Sequence, residues 1–230
     1  MDTLEIMEYF TAENRKHWLE EIGRCEWGAG KYLHSLLSEN SLKNAVGETA
    51  LVLILAEGER LVSFCTFAPL DDIQPTELSP WIGFVYTFPE YRGHRYAGIL
   101  LEYAESLACV MGKEYTYIST GHTGLYEKYG YEFFKTEKDV SGEDSRIYCK
   151  KGFYQNGSGG RAAKAQALFI RKYGKEKLLH VHDKLNEVYD FKKAQELLVT
   201  DAKTGLKILE NENDGGENHA EHRTSDKGLR

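Results

Sequence analysis

The chain has 230 residues, 41% of them apolar and 12% aromatic, which is enough for one sizeable core with an appendage and excludes a wholly disordered protein. Its net charge of −7 is unevenly divided: residues 1–149 hold 13 Lys and Arg against 24 Asp and Glu, whereas residues 150–196 hold 11 against 5. An acidic first part argues against a nucleic-acid or acidic substrate and leans toward a cationic amine, and no apolar run is long enough for a membrane span.

In chain order, residues 4–9 read as a short strand. Residues 11–23 read as a helix capped by Thr11, with Phe10, Trp18, Leu19 and Ile22 as its apolar set. A second helix is expected at 29–39, with Tyr32, Leu33, Leu36 and Leu37 inward. The link between them carries Glu26 and Trp27 among glycines, so Trp27 either belongs to a substrate-binding loop or plugs the gap between the helices. Residues 49–56 and 60–68 are two apolar strands, and the short glycine-containing loop between them is a hairpin signal. Residues 69–80 form a loop with three of the four prolines and the acidic pair Asp71 and Asp72. That pair would attract a cation, although solvated loop charge is the plainer explanation.

The most informative stretch is 81–108. Ile82, Phe84, Val85, Tyr86 and Phe88 have the composition of a buried strand, and Pro89 ends it. Arg92, Gly93, His94 and Arg95 then lead into a helix whose apolar positions Ile99, Leu100, Tyr103, Ala104, Leu107 and Met111 recur at three- and four-residue spacing. Gly112 stops it. A turn feeding the start of a helix presents several backbone N–H groups and is a ready anion site. Residues 115–120 form a further strand, residues 125–130 a short helix closed by Gly130, and 131–138 with 144–150 a closing hairpin.

The run Arg92-Gly93-His94-Arg95-Tyr96-Ala97 resembles the acetyl-coenzyme A signature of the GNAT acetyltransferases: Arg or Gln, two residues, Gly, one residue, Gly or Ala. Arg95 stands where the signature has its glycine. Leu125-Tyr126-Glu127-Lys128-Tyr129-Gly130-Tyr131 resembles a later motif of the same superfamily, in the expected order. The resemblance covers about residues 1–150. It implies an α/β (α+β) fold with a mixed, mostly antiparallel sheet of six or seven strands flanked by helices. It also implies acetyl transfer from acetyl-coenzyme A directly to the amine of a small molecule or peptide.

By the same resemblance the pyrophosphate would meet the backbone from Gly93 through His94, Arg95, Tyr96 and Ala97 to Gly98, with charge from Arg92 and Arg95. The pantetheine arm would run along Val85, Tyr86 and Thr87, with an oxyanion donor near Val85, and Tyr126 would protonate the departing thiolate. The two N-terminal helices and the 69–80 loop would border the acceptor, which makes Glu26, Trp27, Asp71 and Asp72 substrate-side candidates; His122, beside the short helix in the sequence, is a further one. A proton acceptor for the amine is sought among Glu26, Asp71, Asp72 and His122. The alternative is a coenzyme A sensor or interaction module without catalysis.

The domain extends over residues 1–154 on this reading. A Gly-rich linker (155–160), a basic helical appendage (161–209) and a polar, disordered tail (210–230) follow. The appendage docks on the sheet or supports a homodimer; nucleic-acid binding through its lysines is the less favoured reading. His180 and His182 are two residues apart and do not share a helix face, so no metal is expected. Four separately placed cysteines, Cys25, Cys65, Cys109 and Cys149, with no secretory signal in the first residues, suggest a reduced, cytoplasmic protein, with Cys65 and Cys109 as buried small hydrophobes.

Overall fold

The computed structural model describes residues 4–152, 169–174 and 176–177. The chain divides into two compact units, residues 1–108 with 113–153 and residues 109–112 with 154–230. The first unit holds a seven-stranded sheet in the order β1-β2-β3-β4-β5-β7-β6. Its strands are β1 (Leu4–Glu8), β2 (Leu51–Glu57), β3 (Arg60–Ala68), β4 (Trp81–Thr87), β5 (Tyr115–Thr120), β6 (Glu132–Lys138) and β7 (Asp144–Lys151). All neighbours are antiparallel except β4 and β5, which run parallel. A mixed, mostly antiparallel sheet flanked by helices is therefore present, with seven strands.

Among the described residues four α-helices accompany it: α1 (Arg15–Gly23), α2 (Gly28–Ser38), α3 (Leu42–Val46) and α4 (Tyr96–Val110). Strands β2 and β3 are buried almost without interruption, because both of their faces are covered. On one face Trp18 and Ile22 of α1 and Leu33, Leu36 and Leu37 of α2 pack with Val52, Ile54, Phe64, Tyr86 and Phe88. Each such side chain removed from water contributes about 1.5–3 kcal/mol. In α4 the buried set is Leu100, Leu101, Tyr103, Ala104, Glu105, Leu107, Ala108 and Val110.

Three expectations need correction. The first helix starts at Arg15, not at Thr11: Thr11 ends a 3-10 turn, and its hydroxyl donates to the Glu8 carbonyl at 3.0 Å instead of capping. The helix α3 leaves no mark in the apolar pattern, because five residues are too few to show a 3.6-residue period. Cys109 is half-buried, whereas Cys65 is fully buried.

In the second unit residues 169–173 are helical, with the rings of Phe169 and Tyr173 4.9 Å apart, and Gly174 has φ +91°. The linker, the rest of the appendage and the tail lie outside the described residues.

Candidate active site

The site begins with a defect in β4. Phe64 pairs with Tyr86 and Thr66 pairs with Gly83, so Phe84 and Val85 together face Cys65 alone. That is a β-bulge, and its first residue, Phe84, has a left-handed φ of +50°. An aromatic residue held there is uncommon and strained, and such strain collects at working sites. On its other edge β4 meets β5 at one register position, Trp81 opposite Tyr117. Beyond it the strands part around a cavity of about 860 Å³, lined by residues 82–87 of β4 and by Ser119, Thr120, Gly121 and His122 after the parting.

The turn before α4 forms one end of this cavity through Arg92, Gly93, Arg95, Tyr96 and Ala97. Gly93 has φ +86° and Arg95 φ +61°. Arg95 thus holds the left-handed conformation that a glycine would adopt freely. Its side chain leaves the turn: the guanidinium donates to the Lys128 carbonyl at 3.3 Å and lies 5.8 Å from the Tyr129 ring centre. The substituted position therefore ties the turn to the 3-10 helix Tyr126–Tyr129. Arg92 folds back on β4, its Nε donating to the Thr87 carbonyl at 3.1 Å and its guanidinium lying 5.6 Å from the Tyr86 ring centre.

Two members of the expected phosphate cradle do other work. The Gly98 N–H donates to the Arg95 carbonyl at 2.9 Å. A Cβ at Gly98 would stand 2.6 Å from Tyr129 Cε1, so glycine is what lets the helix start lie against that ring. His94 stacks on Tyr96, ring centres 5.5 Å apart, and is not part of the cavity wall.

Tyr126 lines the cavity while only 6% exposed, with its ring against Tyr131 and Tyr148. Burial pushes its phenol well above the ordinary value, and the charges of Cys65 and Asp71 push the same way. It stays protonated at any physiological pH, the state that a proton donor needs.

On the substrate side Trp27, Asp72 and His122 reach the wall. Trp27 does not plug the gap between the helices. It is 42% exposed and lies parallel to Tyr86, ring centres 6.0 Å apart. Glu26 is exposed and outside the wall; its backbone N–H serves the Tyr86 hydroxyl. The loop carrying Asp71 and Asp72 is pinned at both ends of the pair. The Gln74 amide donates to the Asp71 carbonyl at 2.7 Å, and the Val140 N–H to the Asp72 carbonyl at 2.8 Å. Burial raises both carboxyls, and the pair raises Asp71 further, to about 7. Neither is the solvated loop charge that the sequence suggested. Asp72 Oδ1 is buried with no hydrogen-bond partner among the described residues, and Asp139 and Asp144 join Asp72 in the wall.

The missed features are the bulge, the burial of Asp71 and the carboxylates of the β6–β7 hairpin. The last two depend on loops meeting across long stretches of chain, and no local pattern announces them.

A strand bulge, a parted parallel pair, an arginine turn at a helix start and a buried tyrosine thus share one cavity. Residues 48–133 match the acetyltransferase (GNAT) domain family. That stretch, residues 48–133, is what the chain shares with the GNAT acetyltransferases. Among solved structures, the aminoglycoside 6'-N-acetyltransferase of Enterococcus faecium superposes with a TM-score of 0.50 at 13% identity, covering 66% of this chain and 99% of that one. An acetyltransferase of Streptococcus agalactiae is 22% identical with a TM-score of 0.47, covering 64% of this chain and 98% of that one. The first of these likenesses supports the GNAT fold and nothing about substrate. No curated protein matches the sequence. Among the described residues no helix is long and apolar enough to cross a membrane, and no three His, Cys, Asp or Glu side chains could hold a metal ion together.

Proposed function

We propose that the protein is an N-acetyltransferase that moves an acetyl group from acetyl-coenzyme A to a cationic primary amine of a small molecule or peptide. The observation that carries this reading is the single cavity in which the turn before α4, the opened edge of β4 and Tyr126 meet. The fit to coenzyme A is in keeping with the closely spaced left-handed residues Gly93 and Arg95 at a helix start, a backbone shape that gathers N–H groups toward an anion. Gly93, Arg95, Tyr96 and Ala97 would hold the pyrophosphate, with Arg92 adding charge, and Val85, Tyr86 and Thr87 would lie along the pantetheine. When bound, acetyl-coenzyme A supplies the activated acyl group. The backbone N–H at Val85, displaced by the bulge, is suited to face the acyl oxygen. Tyr126 gives its proton to the leaving sulfur. The walls contributed by Asp72, Asp139 and Asp144, with the exposed face of Trp27 in the same cavity, favour an ammonium group over a neutral or anionic acceptor. A cytoplasmic setting agrees with four free cysteines.

The test is coenzyme A binding by calorimetry, followed by thiol release from acetyl-coenzyme A with a panel of alkylamines, diamines, aminoglycosides and peptide N-termini. No binding of coenzyme A sinks the proposal. The sensor reading is favoured by Arg95 in a glycine's place, and it expects binding without thiol release with every amine.

A further inference from the structure

The acetyl transfer proposed above requires an amine that has lost its ammonium proton; Asp72, Asp139 and Asp144 line the cavity, and Asp71 lies behind its Gly83 wall without lining it. We propose that Asp71 is the general base that takes that proton. The assignment rests on the acetyltransferase reading and adds the residue that reading leaves unnamed.

Its basis is position. Gly83 lines the cavity and is the last residue of β4 before the bulge at Phe84 and Val85. A Cβ at Gly83 would stand 2.9 and 3.0 Å from the two carboxyl oxygens of Asp71, and 3.0 Å from Thr66 Oγ1. The Asp71 carboxyl therefore occupies the room that a side chain at 83 would take, beside the backbone that would face the acyl oxygen. It is also near enough to Tyr126 for its charge to act on that phenol. One buried carboxyl thus borders both the oxyanion position and the proposed acid. The other candidates sit differently. Glu26 and His122 are exposed, and Asp72, whose Oδ1 is buried without a hydrogen-bond partner among the described residues, is not among the atoms nearest a Cβ at Gly83.

The chemistry asks for a base that titrates close to working pH. The groups facing Asp71 are Asp72 on its own loop, whose charge raises it, and Tyr126 from the 3-10 helix; Thr66 of β3 and Gly83 of β4 bring no charge. The Asp72 N–H donates to the Asp71 carboxyl and opposes the rise, but burial dominates and the group titrates at about 7. Protons and bonds then balance. Asp71, behind the wall, receives one of the three ammonium protons by way of a water, the nitrogen forms its bond to the acyl carbon, and the carbon–sulfur bond breaks. A second proton reaches the sulfur by way of Tyr126, the third stays on the amide nitrogen, and Asp71 returns its proton to water.

The experiment compares pH profiles of kcat/KM for the wild-type chain and Asp71→Asn, using acetyl-coenzyme A and the best amine of the panel. Wild type should show an ascending limb near pH 7. Asp71→Asn should lose about 10²–10⁴-fold at pH 7 and lack that limb, with the deficit shrinking as pH approaches the amine's own pKa. Coenzyme A affinity should be unchanged, and the variant should melt at a higher temperature than wild type at pH 8. An active wild type with the same profile in Asp71→Asn overturns Asp71 alone, as does a variant whose whole loss is in coenzyme A affinity. A wild type that binds coenzyme A yet acetylates no amine overturns the acetyltransferase reading and this assignment with it. If Asp71→Asn does not fold, Gly83→Ala displaces the same carboxyl by contact and should lower and shift the limb; an unaltered profile there refutes the proposal.

Discussion

Two parts of the cavity wall are built on different plans. The end formed by the turn before α4 is local: Arg92 to Ala97 and Tyr126 to Tyr129 are two short runs, and Arg95 bridges them through the Lys128 carbonyl. The rest of the wall is assembled from distant pieces, with Trp27 from the α1–α2 link, Asp72 from the β3–β4 loop, and Asp139 and Asp144 from the β6–β7 hairpin. A cosubstrate that never changes can be met by a fixed local motif. An acceptor that differs between proteins of one fold is met by loops, which can vary without disturbing the sheet.

Substitutions can break this division or sharpen it. The largest effect is expected at Tyr126→Phe, which keeps the ring packing against Tyr131 and Tyr148 but removes the proton. Turnover should fall about 10²–10⁴-fold with coenzyme A affinity unchanged, measured by thiol release and calorimetry. Retained turnover would mean that the sulfur leaves without help from this residue.

Next in size is Asp71→Asn read as a stability change. Its folded-state value near 7 exceeds the ordinary 3.8, so the folded protein binds a proton that the unfolded chain has released. Stability contributed by the neutral form is therefore lost as pH rises from about 4 to 7 and stays lost above. Asparagine should stabilise the domain by roughly 4 kcal/mol at pH 8 and by little at pH 4, at 1.36 kcal/mol per unit of pKa. Thermal melts at the two pH values check the sign.

Gly98→Ala tests the local end. A methyl group 2.6 Å from Tyr129 Cε1 must move the ring or the helix start, at a cost of about 1–3 kcal/mol, with weaker coenzyme A binding. The smallest effect belongs to Trp27→Ala, whose side chain is 42% exposed. It should raise the amine KM several-fold while leaving the melting temperature within about 2 °C, as for exposed sites generally. A loss of coenzyme A affinity there would blur the division between the two parts.

Legibility in the sequence follows the same line. The Arg92–Ala97 turn, the β3 and α4 positions and the Tyr126 run are readable because each depends on neighbours within a few residues. The bulge is hidden because its left-handed residue is Phe84 and not a glycine, so composition gives no sign of it. Asp71 looks like a surface acid in the sequence, since only the folded loop brings it over Gly83 and half out of water. Thr11 misleads for a simpler reason: it is a good cap residue, but the chain does not turn helical until Arg15.

The contact between Gly98 and Tyr129 has a consequence for anyone recombining this protein. Though far apart in the chain, the two behave as one site: a side chain can be added at 98 only if bulk is withdrawn at 129. A library that varies either position alone would score almost every change as harmful and conceal the exchanges that work. Paired randomisation of 98 and 129 would show whether α4 and the 3-10 helix can be refitted to each other, and thereby whether the end of the cavity at the turn before α4 can be resized.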